Sequence, residues 1–399
     1  MRRPRAGTSL LVGGLVAAAT AGHVLYPAWL AWRTRGGRGR VAARPGAGPP
    51  AEAPDLTVLV PAFREAGVIA AKVDDIRANG YPGNLEILVV AEGDPETAAA
   101  ASAAGARALT GPDRLGKSQA LNRGFAEAST PIVVFTDANN RLAPGALAAA
   151  VEHFADPEVG AVAGEKVEDD GGGESLYWKF ESWLKQREDR LGTTIGLVGE
   201  FAAVRRKAWR PIPPDVATDD FWTALDIIEQ GYRIAYEPRA RAFDPAVESL
   251  AVSWERRIRS VSGALHIMSR RRRQLQPSAG LVAAELWGHR LVRYTVGPLA
   301  HVGLLVVALT KVRSSSLARL FLLGNAVACA GLVLDTRPDA AADGAGESHE
   351  ATESSKARRL VLGATAGAGQ VMFLQGVALG GMARYARGDR STLWAKVER

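Results

Sequence analysis

Four apolar residues, Ile132-Val133-Val134-Phe135, run without a break into Thr136-Asp137-Ala138-Asn139. A run this short and apolar predicts a strand covered on both faces, as in a parallel sheet flanked by helices. The acid marks where the strand meets solvent, and open α/β sheets bind ligands at that carboxyl end. Asp137 and Asn139 stand two apart, so a tight turn can aim both at one hard cation. Mg²⁺ commonly shares its shell with substrate phosphates. An Asx turn capping the next helix would use the same residues, so the neighbouring stretches decide between the two.

Those neighbours repeat the pattern. Leu56-Thr57-Val58-Leu59-Val60 is a first strand, and Pro61-Ala62-Phe63-Arg64-Glu65 turns it into a helix running to about Ala78. Leu85 to Val90 is a second strand, followed by Ala91-Glu92-Gly93-Asp94. Strand, helix, strand, acidic turn is the order of a nucleotide-binding α/β half. Glu92 can hold a base or ribose there, or be a solvated turn carboxylate. Gly111 to Ser118 reads G-P-D-R-L-G-K-S and satisfies the P-loop pattern. Two features oppose a P-loop. Ala104 to Thr110 is a poor strand, with Arg107 inside it, and a single helix, Gln119–Ala128, leads directly to the next strand. The simpler reading places Arg114 and Lys117 near a diphosphate.

The 399 residues carry a net charge of +7 and one cysteine, Cys329. No internal disulfide is possible, and Cys329 reads as a small packing residue in an apolar run. Residues 6–32 are uncharged and long enough for a membrane helix, with Trp29 and Trp32 suited to an interfacial belt. Three arginines precede this run and five follow it within 33–54, a Gly/Pro/Ala linker, which puts the next domain in the cytoplasm. The run Arg270–Arg273 suits an anionic lipid face. No aromatics alternate with the arginines, as a single-strand binder requires, so nucleic acid is not an expected partner.

Val-Pro-Ala-Phe-Arg-Glu (60–65), Val-Val-Ala-Glu-Gly (89–93), Arg-Leu-Gly-Lys-Ser-Gln-Ala-Leu-Asn-Arg-Gly (114–124) and Val-Val-Phe-Thr-Asp-Ala-Asn (133–139) resemble, in order and spacing, the family 2 glycosyltransferases. The likeness is to the membrane-anchored, cellulose-synthase-like and poly-N-acetylglucosamine-synthase-like branch. It implies a GT-A (nucleotide-diphospho-sugar transferase) domain over residues 55–275, with a mostly parallel sheet and transmembrane helices at both ends. It also implies a nucleotide-diphosphate sugar as donor, a UDP-sugar first, with Mg²⁺ or Mn²⁺ at Asp137 and Asn139. Pro61, Glu65, Glu92, Arg114, Lys117 and Asp137 fall on the donor side. Arg64 stands where the family usually has Asn, and Glu92 where it usually has Asp.

Further along, Glu168 to Gly173 reads as a solvated acidic loop, and Ser175 to Arg190 as a helix with Tyr177, Trp178, Phe180 and Trp183 on an aromatic face. Gly199 to Arg206 resembles the family's stretch under the donor sugar, with Glu200 unusual in it. Thr218-Asp219-Asp220 precedes a helix over Phe221–Gln230. The resemblance puts the catalytic base at Asp220, for a single inverting displacement in which a carboxylate takes the proton of the acceptor hydroxyl. The family's Gln-x-x-Arg-Trp is missing. Arg256, Arg257 and Arg259 stand in its place and can grip phosphate, or form a juxtamembrane basic face.

Three apolar segments follow, Tyr294–Thr310, Leu320–Leu334 and Leu360–Ala383. They give two transmembrane helices within 281–334, a polar linker over 335–359, a third helix over 360–383 and a basic tail over 384–399. Three spans would put the tail outside, while its five basic residues favour the inside. The expected protein is a multi-pass transferase of the plasma membrane. Its catalytic domain is cytoplasmic, and it adds sugars to a lipid or glycan acceptor in envelope polysaccharide synthesis. An inactive membrane scaffold and a P-loop hydrolase are the rival readings.

Overall fold

The computed structural model describes residues 6–37, 53–168, 173–245, 250–335 and 353–389. Most of the predicted linkers 33–54 and 335–359, the loop 169–172 and most of the basic tail lie outside these residues.

The chain opens with α1 (Ala6–Thr20), a π-turn and α2 (Tyr26–Arg33). A first half alternates strand and helix: β1 (Leu56–Pro61), α3 (Ala66–Arg77), β2 (Leu85–Val90), α4 (Pro95–Ala103), β3 (Arg107–Leu109), α5 (Lys117–Glu127) and β4 (Ile132–Phe135). The second half adds β5 (Arg141–Leu142), α6 (Ala146–Glu152), β6 (Val159–Glu168), α7 (Gly173–Leu191), β7 (Ala202–Arg205), α8 (Asp219–Glu229), β8 (Arg233–Asp244) and α9 (Leu250–Arg270). The last helices are α10 (Leu281–Glu285), α11 (Val292–Tyr294), α12 (Val296–Lys311), α13 (Ser316–Asp335) and α14 (Glu353–Ala386).

The strands form one sheet in the order β3-β2-β1-β4-β7-β6-β8-β5. It is mixed, which corrects the mostly parallel expectation. β2 and β4 flank β1 in parallel, but β7 lies antiparallel between β4 and β6, and β5 is antiparallel to β8. The reason lies in the loop before β7. Ala202 pairs with Phe135, the last residue of β4, so the chain enters β7 at the ligand-binding edge and can only run back from it. Because β6 is antiparallel to β7, and β8 parallel to β6, the carboxyl ends of β1, β2, β4, β6 and β8 share one edge.

Side chains alternate between the two faces of a strand, and both faces here are covered. Leu59, Leu88 and Phe135 join the core on one side, and Val58, Val60, Val89 and Val134 the core on the other. α5 lies directly on β1 at Gly124, where a Cβ would collide with the Leu59 side chain.

The terminal helices dock on this domain. The Tyr26 hydroxyl of α2 donates to Glu188 of α7 at 2.7 Å. Gly376, Gly380 and Gly381 of α14 press against Trp254, Ile258 and Val261 of α9. Helices form at each predicted C-terminal segment. Among the described residues, however, only Ser9–Arg33 is by itself long and apolar enough to cross a membrane. Leu281–Tyr294 and Val296–Lys311 qualify only together, across a 41° bend. The C-terminal transmembrane helices expected from sequence are therefore not shown as separate spans. α14 is Ala/Gly-rich and spends one face on α9. Cys329 is exposed on α13, not packed. Arg270 and Arg271 also depart from expectation, because they pair with Asp215 and Asp226 of the domain at 2.8 and 2.7 Å.

Candidate active site

All eleven residues singled out from the sequence line one cavity of about 1150 Å³ at the shared strand edge. Pro61 ends β1. Glu65 caps α3, and its Oε2 accepts from the Phe63 amide at 3.3 Å. Arg114 stacks on the Phe63 ring, 4.1 Å from its centroid. Glu92 follows β2 and is buried, with its Oε1 accepting from Arg123 at 2.5 Å. Arg64, beside them, holds φ at 55°, a left-handed conformation that Asn adopts more easily than Arg. Its amide donates to Asp94 at 2.5 Å.

Asp137 follows β4, with its Oδ1 accepting from Lys117 Nζ at 2.5 Å. Lys117 opens α5 and also reaches the Gly199 carbonyl at 3.3 Å. Burial weakens the charge of Lys117, but Asp137, Asp219 and Glu200 around it hold its pKa above the ordinary value. Burial pushes the Asp137 carboxyl up to about 6, with Lys117 opposing the rise and Glu200 adding to it. The turn after β4 is pinned from below. Thr136 and Asn140 both donate to the Glu200 carbonyl, at 2.8 and 2.9 Å, and the buried Lys72 ammonium clamps Asn140 Oδ1 at 2.6 Å.

Asp220 lines the same cavity from the first turn of α8, which starts at Asp219 and so two residues before the predicted Phe221. Its Oδ1 accepts from the Phe221 amide at 2.8 Å. Burial and the adjacent Asp219 charge raise its pKa to about 6. Arg256, Arg257 and Arg259 of α9 complete that wall, and the Arg257 guanidinium sits 4.2 Å over Tyr177. Burial lowers the pKa of Arg259 to about 10.

The structure also supplies a group that sequence reasoning missed. Lys166 of β6 is fully buried and bonds Glu200 at 2.8 Å and Asp244 at 2.6 Å, with Glu168 3.4 Å away. Burial disfavours the Glu200 charge, but Lys166 overrides it and holds the carboxyl at about 2. Glu168 was expected in a solvated loop. It is buried and accepts from Trp178 Nε1 at 3.0 Å, because it is still paired with Asp244 in the sheet. Asp244 offered a signal, since it ends a strand as Asp137 does. Lys166 offered none. The predicted aromatic face of α7 divides: Tyr177 and Trp178 line the cavity, while Phe180 and Trp183 pack toward Tyr26 and Leu30.

Oxygen donors are present in the cavity lining. Asp137 and Asn139 are part of it, and Asp219 Oδ2 is buried without a hydrogen-bond partner. Among the described residues no three His, Cys, Asp or Glu side chains form a ready metal cluster. The donor set therefore fits a hard cation that completes its shell with phosphate and water.

Residues 57–211 match the family model described as glycosyl transferase family 2. The chain carries a family 2 glycosyltransferase domain. An N-acetylglucosaminyltransferase of Rhizobium meliloti is 27% identical over 217 residues, 47% of this chain and 50% of that protein. A poly-beta-1,6-N-acetyl-D-glucosamine synthase of Staphylococcus aureus is 27% identical over 168 residues, 39% of this chain and 40% of that protein. The chain thus spans half or less of the length of these relatives. The mannosyltransferase PcManGT from Pyrobaculum calidifontis, solved with GDP-Man and Mn²⁺, superposes with a TM-score of 0.66. It is 24% identical, over 95% of this chain and 99% of that one. The glycosyltransferase domain thus has the GT-A fold, with a mixed sheet, and the fold it shares with PcManGT extends over nearly the whole chain.

Proposed function

We propose that the protein is a membrane-bound inverting glycosyltransferase, moving a sugar from a nucleotide-diphosphate donor to a lipid or glycan acceptor in envelope polysaccharide synthesis. The observation that carries this reading is that Asp137 and Asp220 open onto one cavity with Lys117 beside them. In this reading Glu92 and Pro61 border the nucleoside, Arg114 and Lys117 meet the diphosphate, and Asp220 takes the proton of the acceptor hydroxyl. The raised pKa of Asp220 suits it to that task, because a base works best with a pKa near the working pH. Asp137 and Asn139 would hold Mg²⁺ or Mn²⁺, which neutralises charge on the departing diphosphate. Lys117 exchanges Asp137 for phosphate when donor enters.

Ser9–Arg33 is the anchor, and the bent Leu281–Lys311 pair is a second membrane element. The glycosyltransferase domain faces the cytoplasm, with a UDP-sugar or GDP-sugar as donor. The test is transfer of radiolabel from a panel of UDP- and GDP-sugars by membranes carrying the full chain, with Mn²⁺ and with EDTA. One donor in the panel should label the membrane fraction in a metal-dependent way. No transfer from any donor would overturn the reading. ATP hydrolysis that is lost on Lys117→Ala would revive the P-loop alternative.

A further inference from the structure

The cavity continues beyond Asp220. Its inner end is bounded by α7, α9, α11 and α14, and it reaches His23 within the N-terminal apolar helix. At about 1150 Å³ it exceeds the roughly 300–1,000 Å³ that one small ligand usually occupies. The inner end has two kinds of wall. One kind is cationic, with Lys185, Arg256, Arg257, Arg259, Arg290 and Arg293. Glu181, also there, already accepts from Arg293 at 2.7 Å and faces His289 at 2.9 Å. Lys185 is different. It is buried, yet among the described residues its ammonium makes no direct hydrogen bond or ion pair; the Tyr236 ring lies 5.3 Å from it, and the carboxylates of Glu181, Glu200 and Glu165 act on it only at longer range. Burial pulls its pKa down to about 8, with Glu181 opposing the fall and Arg290 adding to it. A buried ammonium with no anion in direct contact is costly. The other wall is aliphatic, built from Val261 and Ala264 of α9 and Leu374, Val377 and Ala378 of α14.

We propose that this inner end is the acceptor subsite and that it takes a lipid bearing a phosphate. Lys185, with Arg290 near it, holds the phosphate, and the α9–α14 wall holds the alkyl chain. A glycan would use neither the aliphatic wall nor the opening toward an apolar terminal helix. This assignment rests on the glycosyltransferase reading. A head-group hydroxyl gives its proton to Asp220 as its oxygen bonds to the anomeric carbon. The bond from that carbon to the diphosphate breaks, and the nucleoside diphosphate leaves with the electron pair.

The experiment uses the full chain in neutral detergent, with tryptophan fluorescence as readout, since Trp178 lines the cavity. The probes are dodecyl phosphate, inorganic phosphate and octyl glucoside, with UDP and GDP plus Mn²⁺ as donor-side controls. Dodecyl phosphate should bind at least tenfold more tightly than either simpler probe. Lys185→Gln should weaken it about tenfold and Lys185→Arg should restore it, with nucleotide binding unchanged in both. Ala378→Phe narrows the aliphatic wall without touching the charge, and should also lose dodecyl phosphate while keeping nucleotide. Dodecyl phosphate binding unaffected by Lys185→Gln and Ala378→Phe would overturn the subsite. Octyl glucoside binding as tightly as dodecyl phosphate would overturn the role of charge. Inorganic phosphate binding as tightly would point to a soluble anion instead of a lipid. Loss of nucleotide binding in the unaltered chain, with dodecyl phosphate still bound, would overturn the transferase reading and the acceptor role with it, leaving a lipid site.

Discussion

The two ends of the cavity differ in how their charges are settled. At the end beside Asp137, proposed for the donor, cations are paired with carboxylates: buried Lys117 with Asp137, buried Lys166 with Glu200 and Asp244, and the more exposed Arg123 with Glu92. At the inner end cations accumulate, and Lys185 has no such partner among the described residues. A ligand entering the donor end must exchange one partner for another, so its net gain is modest and depends on geometry. A ligand entering the inner end supplies the direct anionic contact that Lys185 lacks. The first arrangement favours discrimination, and the second favours capture of anything anionic and amphipathic.

The contrast can be broken hardest at Lys166. Lys166→Met leaves buried Asp244 and half-buried Glu200 without the cation between them, and removing one partner of a buried pair costs about 3–5 kcal/mol. A thermal melt should show a large loss of stability, whereas Lys185→Met, which strands no carboxylate bonded to it, should be near neutral. Equal losses would erase the distinction.

A smaller effect sharpens the account of the base. With Asp220 as the proposed base, activity requires it deprotonated, so transfer should rise with pH through about 6 and fall below it. The Asp219 charge helps raise that pKa. Asp219→Asn should therefore move the acidic limb of the pH–rate profile downward. A limb that stays in place would assign it to another group. The smallest effect concerns Arg64. Relieving its left-handed backbone with Arg64→Asn should stabilise the protein by about 1 kcal/mol, read as a small rise in melting temperature.

The strand ends that line the cavity were legible because a buried strand ending in an acid is a local pattern. Glu92 and Asp137 could be read in this way, and the strands around them fell at or near their expected limits. What escaped depended on contacts distant in sequence. Lys166 looks like a solvated residue until β7 enters antiparallel and brings Glu200 beside it. Lys185 sits among charged residues of α7 and reads as surface until the sheet brings Tyr236 of β8 against it. The glycines of α14 reveal a docking face only beside Trp254, Ile258 and Val261. The mixed sheet escaped for the same reason, since strand direction follows from where a loop returns and not from the strand's own residues.

The central claim is that Asp220 is the base for a sugar held beside Asp137. It is tested most directly by comparing Asp220→Asn with the unaltered chain in metal-dependent transfer from the preferred nucleotide sugar, measuring nucleotide binding in parallel. General-base catalysis is worth roughly 10²–10⁴-fold. A loss of that order with nucleotide binding intact is the predicted result. Transfer close to that of the unaltered chain, with nucleotide still bound, would contradict it.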